Sequence, residues 1–247
     1  MNIRFTCEYN GKNYHGFQRQ SNGASIQGEL ESALGRLFNA DIKITAAGRT
    51  DAGVHAFGMV CNFHIEGFSA NERSLFKLAT GMNAFLSHDI VVRDFAVAPD
   101  DFNARKSAKQ KTYVYKYYVN PHRSPLRENH MAHIYKMPNI EKMAQAAGHL
   151  VGRHDFTSFC CTDCDKPDKV RTVRAVDVHA HADEITITVV GDGFLRNMVR
   201  VIAGTLLEVG QGTRNPSDIA GILAARDRNA AGLTAPACGL CLVNVTY

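Results

Sequence analysis

The chain has 247 residues, and its 28 Lys and Arg residues against 24 Asp and Glu residues give a formal net charge of +4. Charged residues make up 21% and hydrophobic residues 45%, a balance that excludes disordered, collagen-like and acidic low-complexity chains. No apolar run approaches the roughly 18–20 residues of a membrane-spanning helix, and the first residues lack the apolar stretch of a signal peptide. We therefore expect a soluble cytoplasmic protein with no membrane partner.

The first hundred residues predict six elements in the order β-α-β-β-α-β. Ser25 and Asn71 are side chains of the kind that cap helices, and each is followed by apolar residues at helical spacing. The predicted strands cover residues 3–9, 42–47, 57–65 and 90–96. This order is that of one split β-α-β unit.

The second half predicts the same order. One helix follows Asn139, another carries apolar residues at helical spacing from Leu195 to Val209, and a short one starts at Pro216 with Asn215 as its cap. The predicted strands cover residues 111–120, 170–181, 184–190 and 239–247.

Two matching halves predict an α+β protein with a duplicated ferredoxin-like fold. We assign residues 1–100 to an N-terminal half, 101–110 to a connecting segment and 111–247 to a C-terminal half. The two antiparallel sheets are expected to join around a central cleft, and a cleft of this kind is where a functional site is expected.

The segment Ala46–Ala56 carries the strongest chemical signal. Gly48 and Gly53 allow the backbone to turn sharply and a ligand to approach closely. Arg49 and Asp51 are two residues apart, so that in an extended segment they project to the same side. A guanidinium lowers the pKa of a neighbouring carboxyl and keeps it ionised as a nucleophile or base. Without further information, the residues favour the alternative of a polar turn in which Arg49 and Asp51 simply pair.

Residues 48–56, GRTDAGVHA, resemble the signature of the TruA family of tRNA pseudouridine synthases. Further segments resemble that family's motifs in the expected order: 9–20, 101–105 with 111–115, 152–159, 198–200 and 235–240. Each short match is weak, whereas the ordered series is specific. The sequence departs from the common pattern at Met59, where the family often has Gln, which puts the choice of tRNA position in doubt.

The resemblance implies an isomerase that converts uridine to pseudouridine in the anticodon arm of tRNA, at positions 38 to 40. Asp51 matches the catalytic aspartate of the family, and the sequence leaves open whether it attacks the sugar or the uracil ring. The resemblance further implies that no metal and no organic cofactor take part. It implies a homodimer as well, with tRNA and not DNA as the partner.

Three further residues are candidates for binding the substrate. Tyr113 resembles the family tyrosine that packs on the target base, and its alternative is an aromatic residue of the sheet. Arg200 resembles the partner of the catalytic carboxylate; Arg196 lies four residues earlier, so the alternative is a solvated helix face carrying both. Arg49 is a candidate for contacting phosphate or the extruded nucleotide.

Cysteines and basic residues are open to less specific interpretations. Cys161 and Cys164 form one C-x-x-C, with Cys160 beside them, but the second pair of a structural zinc site is missing, so we predict no metal. A basic run at 105–111 would bind RNA phosphates if it lines the cleft.

Two other functions compete with the isomerase. One is a catalytically inactive RNA-binding relative, which the presence of Asp51, Tyr113 and Arg200 disfavours. The other is an unrelated carboxylate hydrolase, which would need a second acid opposite Asp51 that no nearby pair supplies.

Overall fold

The computed structural model describes residues 1–21, 23–164 and 166–247, and the chain divides into two compact units. Unit 1 consists of residues 1–109 together with 242–247, and unit 2 consists of residues 110–241. Among the described residues, no helix combines the length and the hydropathy that crossing a bilayer requires.

Unit 1 has the predicted β-α-β-β-α-β order. Its elements are β1 (Asn2–Tyr9), α1 (Ile26–Phe38), β2 (Thr45–Ala46), β3 (His55–His64), α2 (Glu72–Phe85) and β4 (Ile90–Ala98). The first strand pairs antiparallel with both β3 and β4, and β2 pairs antiparallel with β3. The resulting order β4-β1-β3-β2 is that of a ferredoxin-like sheet.

Both predicted helix caps of unit 1 are confirmed. The Ser25 side chain accepts a hydrogen bond from the Gly28 N–H, and Asn71 forms a reciprocal capping box with Ser74. Strand β2 is shorter than predicted. The Ile44 N–H donates to the buried carboxylate of Glu31 at 3.2 Å, so this donor is not available for a strand ladder.

Unit 2 contains the predicted helices, the first three predicted strands of the second half and two short strands that were not predicted. Its helices are α3 (Ile140–Gly148), α4 (Met198–Gly210) and α5 (Asp218–Ala225). Its strands are β5 (Gln110–Val119), β6 (Ala132–Ile134), β7 (Gly152–Asp155), β8 (Val170–His181) and β9 (Glu184–Gly191). The sheet order is β5-β9-β8-β7, with β6 parallel to β5. The α+β class is confirmed.

The helix predicted at Pro216 begins two residues later. The backbone N–H of Asn215 donates to the Asp218 carboxylate at 2.8 Å, and the N-cap position is occupied by Ser217 instead of Asn215. The predicted start was therefore wrong, because a turn precedes the helix.

The last strand, β10 (Leu240–Thr246), was predicted as part of a C-terminal half running from 111 to 247. Residues 242–247 instead group with unit 1. The Thr246 carbonyl accepts from the Lys109 N–H at 2.8 Å, and the Tyr247 hydroxyl donates to the Ala104 carbonyl at 2.8 Å. These bonds hold the end of the chain against the segment that follows β4.

Candidate active site

Asp51 opens a tight turn in the loop between β2 and β3. The Val54 N–H donates to the Asp51 carbonyl at 3.1 Å, and Gly53, at the third position of the turn, has a φ of 77°. A positive φ at that position is typical of a type II turn and explains the glycine. The Asp51 side chain is half-buried, whereas Arg49 is exposed.

Buried hydrogen bonds fix the residue before Asp51. The Thr50 hydroxyl lies 2.8 Å from the Tyr9 hydroxyl, and the Thr50 carbonyl accepts from the Phe17 N–H at 3.0 Å. Thr50 is 8% exposed, so losing one of these partners would leave a polar group unsatisfied in the interior. The backbone at Asp51 is therefore constrained on its N-terminal side.

Glycines let the segment 9–20 pack directly on the Asp51 loop. Gly16 has a φ of 92°, and a Cβ built there would lie 2.8 Å from the Thr50 carbonyl oxygen. A Cβ built on Gly11 would overlap the Val54 carbonyl. The Gly11 N–H also donates to His55 Nδ1 at 3.2 Å, which gives this buried histidine a structural contact. Two motifs recognised separately in the sequence thus form one structure within unit 1.

Tyr113 lies in β5 opposite Val189 of β9 and is 7% exposed. Its ring meets Phe194 edge to face, with centroids 5.2 Å apart and an interplanar angle of 84°. This arrangement is a favoured geometry for aromatic pairs and restrains the tyrosine ring. Sequence reasoning missed Phe194, because nothing in its local pattern distinguishes it from a core aromatic.

Arg200 lies in the first turn of α4, and its guanidinium is half-buried. Its Nε donates to the Ala235 carbonyl at 2.8 Å and its Nη1 donates to Asn197 Oδ1 at 3.1 Å. The Ala235 N–H returns a hydrogen bond to the Arg200 carbonyl at 3.1 Å. The side chain is therefore held in one orientation, unlike the arginine of a solvated helix face.

Tyr115, in the same strand as Tyr113, binds the same short segment of the chain as Arg200. Its hydroxyl donates to the Pro236 carbonyl at 2.8 Å, one residue beyond the carbonyl that Arg200 binds. Tyr113 and Tyr115 project to the same face of β5 because they are two residues apart. Unit 2 therefore brings Tyr113 and Arg200 to the same face of its sheet, whereas Arg49 and Asp51 lie in unit 1.

Arg196 does not share a helix face with Arg200. The helix begins at Met198, after Asn197 adopts a left-handed φ of 64°, so Arg196 precedes it. Arg196 is exposed and pairs with Asp163 at 2.7 Å. The predicted helix start near Leu195 was wrong because the left-handed residue interrupts the periodic pattern.

The basic segment after β4 is exposed. The N–H groups of Arg105 and Lys106 both donate to Asn103 Oδ1 at 3.0 Å, so the backbone forms a defined turn. The side chains of Arg105, Lys106 and Lys109 are accessible to solvent. Their positive charges therefore lie at the surface of the protein.

Comparison with known proteins identifies the family. The sequence profile described as tRNA pseudouridine synthase matches residues 6–105 and 146–247. The chain belongs to the tRNA pseudouridine synthase family. The resemblance to this family and the predicted enzyme class, an isomerase, are confirmed.

Individual members of the family match over nearly the full length. The tRNA pseudouridine synthase A of Geotalea uraniireducens is 44% identical over 245 residues, which cover 99% of each chain. That of Ruminiclostridium cellulolyticum is 42% identical over 246 residues, again covering 99% of each. Among solved structures, a chain of a Cbf5-Nop10-Gar1 complex aligns with a TM-score of 0.40 and 10% identity, covering 98% of this chain and 49% of that one. This last similarity is too weak to support an inference.

Proposed function

We propose that this synthase isomerises uridine to pseudouridine in the anticodon stem-loop of tRNA, at positions 38 to 40, with Asp51 as its nucleophile. The observation that carries the proposal is the constrained position of Asp51. The turn to Val54 and the buried contacts of Thr50 hold its backbone from both sides. Orienting a reacting group in advance lowers the barrier of a reaction.

A carboxylate suits the chemistry of this isomerisation. The glycosidic bond from the ribose to N1 of uracil breaks, and a carbon–carbon bond from the same ribose carbon to C5 replaces it. The proton at C5 leaves and N1 gains one, so neither oxidant nor cofactor is needed. A carboxylate can add covalently and later depart. Addition of Asp51 to the ribose carbon and addition to the uracil ring both satisfy this balance.

The supporting roles are proposed from the local environments of the side chains. Tyr113 packs on the target base, and the edge-to-face contact with Phe194 supports that role by restraining the phenol ring. Arg200 provides positive charge for the catalytic carboxylate, with a guanidinium oriented by Ala235 and Asn197. Arg49 is exposed and is proposed to contact RNA phosphate.

The decisive experiment uses unmodified tRNA transcript with tritium at carbon 5 of uridine. The wild-type protein should release one tritium per modified site, and Asp51→Asn should release none, because the amide keeps the size of the side chain but removes the anion. Binding of tRNA by both proteins, measured by filter retention, controls for folding. Mapping of the pseudouridine positions in the product then tests the proposed sites.

Other outcomes would contradict the proposal. Turnover by Asp51→Asn would refute the nucleophile. Absence of tritium release by the wild type, together with salt-sensitive tRNA binding, would instead indicate an inactive RNA-binding relative.

The homodimer is likewise proposed from the family resemblance. Light scattering that gives the mass of one 27.2 kDa chain across the assay concentrations would contradict it.

A further inference from the structure

Three cysteine sulfurs converge in the loop that follows β7. The Sγ atoms of Cys160, Cys161 and Cys164 all lie within 4.8 Å of one another. A turn brings the last two together, with the Cys164 N–H donating to the Cys161 carbonyl at 3.2 Å. Cys160 is buried, and the other two are half-buried. The sequence shows one C-x-x-C, whereas the fold adds a third sulfur from the preceding residue.

The three thiols of the cluster have different surroundings. Burial acts to raise the pKa of Cys164, but hydrogen bonds from the backbone N–H groups of Lys166 and Arg196 and from the Cys160 thiol lower it below its ordinary value. Burial raises the pKa of Cys160, and it raises the pKa of Cys161 to about 11.

We propose that Cys160, Cys161 and Cys164 bind a thiophilic divalent metal ion such as Zn²⁺. Three metal–sulfur bonds form, and the protons of the thiols pass to solvent. Bonds of about 2.3 Å in tetrahedral geometry place the sulfurs about 3.8 Å apart, so sulfurs that lie within 4.8 Å of one another need to approach by about 1 Å at most. Water completes the coordination, as in other sites with three protein ligands.

Charge around the cluster is consistent with this occupant. Three thiolates and a divalent ion carry a net charge of −1. Arg196 lowers the pKa of Cys161 and Lys169 lowers that of Cys164, whereas the Asp163 carboxylate, which pairs with Arg196 at 2.7 Å, raises the pKa of Cys161. A disulfide would join only two of the three sulfurs and would not explain why the third lies beside them. A metal site with three sulfur donors explains the positions of all three.

Metal binding would stabilise the segment of the chain that leads into α4. The Cys161 N–H donates to the Arg196 carbonyl at 3.3 Å, and the Arg196 N–H hydrogen-bonds to the Cys164 sulfur. Arg196 precedes the helix whose first turn carries Arg200. Coordination would therefore fix the loop and the start of this helix together.

The test measures metal directly on the full chain, purified under a phosphine reductant. After loading with Zn²⁺ and dialysis, elemental analysis should give one metal per chain. Loading with Co²⁺ should give thiolate-to-metal charge-transfer absorption. Cys161→Ser and Cys164→Ser should each lose the absorption, whereas Cys241→Ser, which removes a half-buried thiol outside the cluster, should retain it. Circular dichroism of the metal-free variants checks that they fold.

Two results would overturn the proposal. One is metal retention by the wild type no higher than that of Cys164→Ser. The other is a metal-free chain whose intact mass shows a disulfide within the cluster even under the reductant, which would indicate an oxidation site instead. Asp51→Asn should bind metal like the wild type. Failure of the proposed metal site can therefore be distinguished from failure of the isomerase assignment.

Discussion

Replacing Gly16 by alanine should slow the isomerisation, because the added methyl group would meet the backbone beside Asp51. At Gly16 the φ angle is 92°, and the new Cβ would lie 2.8 Å from the Thr50 carbonyl oxygen and 3.2 Å from the Ala52 nitrogen. Backbone atoms cannot rotate away as a flexible side chain can. The segment that carries Gly16 and the Asp51 loop must therefore shift relative to each other.

The size of that movement sets the expected loss. Ordinary contact begins at 3.4 Å, so the shift is 3.4 − 2.8 = 0.6 Å. Since a misplacement of about 1 Å can cost roughly a hundredfold in rate, we expect kcat to fall about tenfold or more. The left-handed backbone should cost a further ~1–2 kcal/mol of stability for a residue with a side chain.

Gly67→Ala is the matched control. Gly67 has a φ of 67°, and a Cβ there would meet nothing within 4 Å, so this variant carries the backbone cost without the clash. Single-turnover tritium release measures the rate, and urea unfolding measures stability. If Gly16→Ala matched Gly67→Ala within twofold in rate, the claim that the 9–20 segment positions Asp51 would be refuted.

Further predictions concern neighbouring contacts. A double-mutant cycle of Tyr9→Phe and Thr50→Val should give a coupling of about 1 kcal/mol in urea unfolding, because their hydroxyls are 2.8 Å apart; additivity would contradict a stabilising bond. Tyr113→Phe should reduce kcat more than tRNA affinity if the hydroxyl acts on the base, and an unchanged rate would leave stacking as its role. Replacing the cations of the 105–109 segment by alanine should make the slope of log affinity against log salt about 2 smaller in magnitude, whereas an unchanged slope would exclude phosphate contacts.

Local signals were enough for most of unit 1. The periodic apolar residues after Ser25 and Asn71, together with their capping side chains, are encoded within one or two turns, and both helices begin where predicted. The GRTDAGVHA segment identified the family without any knowledge of long-range contacts, because its motif depends on adjacent residues. The roles of Asp51, Tyr113 and Arg200 remain predictions for the assays above.

Short elements and helix starts were less predictable. Strands β6 and β7 are too short for an alternating pattern to stand out, and they form because neighbouring strands supply their hydrogen bonds. The apolar residues keep their helical spacing back to Leu195, but the left-handed backbone of Asn197 prevents the helix from starting before Met198. Periodicity reports which residues face a core and does not report where backbone dihedrals change.

The sequence by itself determined the α+β class, the β-α-β-β-α-β order of unit 1 and the family, since these depend on patterns a few residues long. Tertiary structure alone decided which distant groups meet. It placed Gly16 against Thr50 and Arg200 against Ala235. Such contacts depend on loop paths and packing between elements, and spacing along the chain carries little information about either.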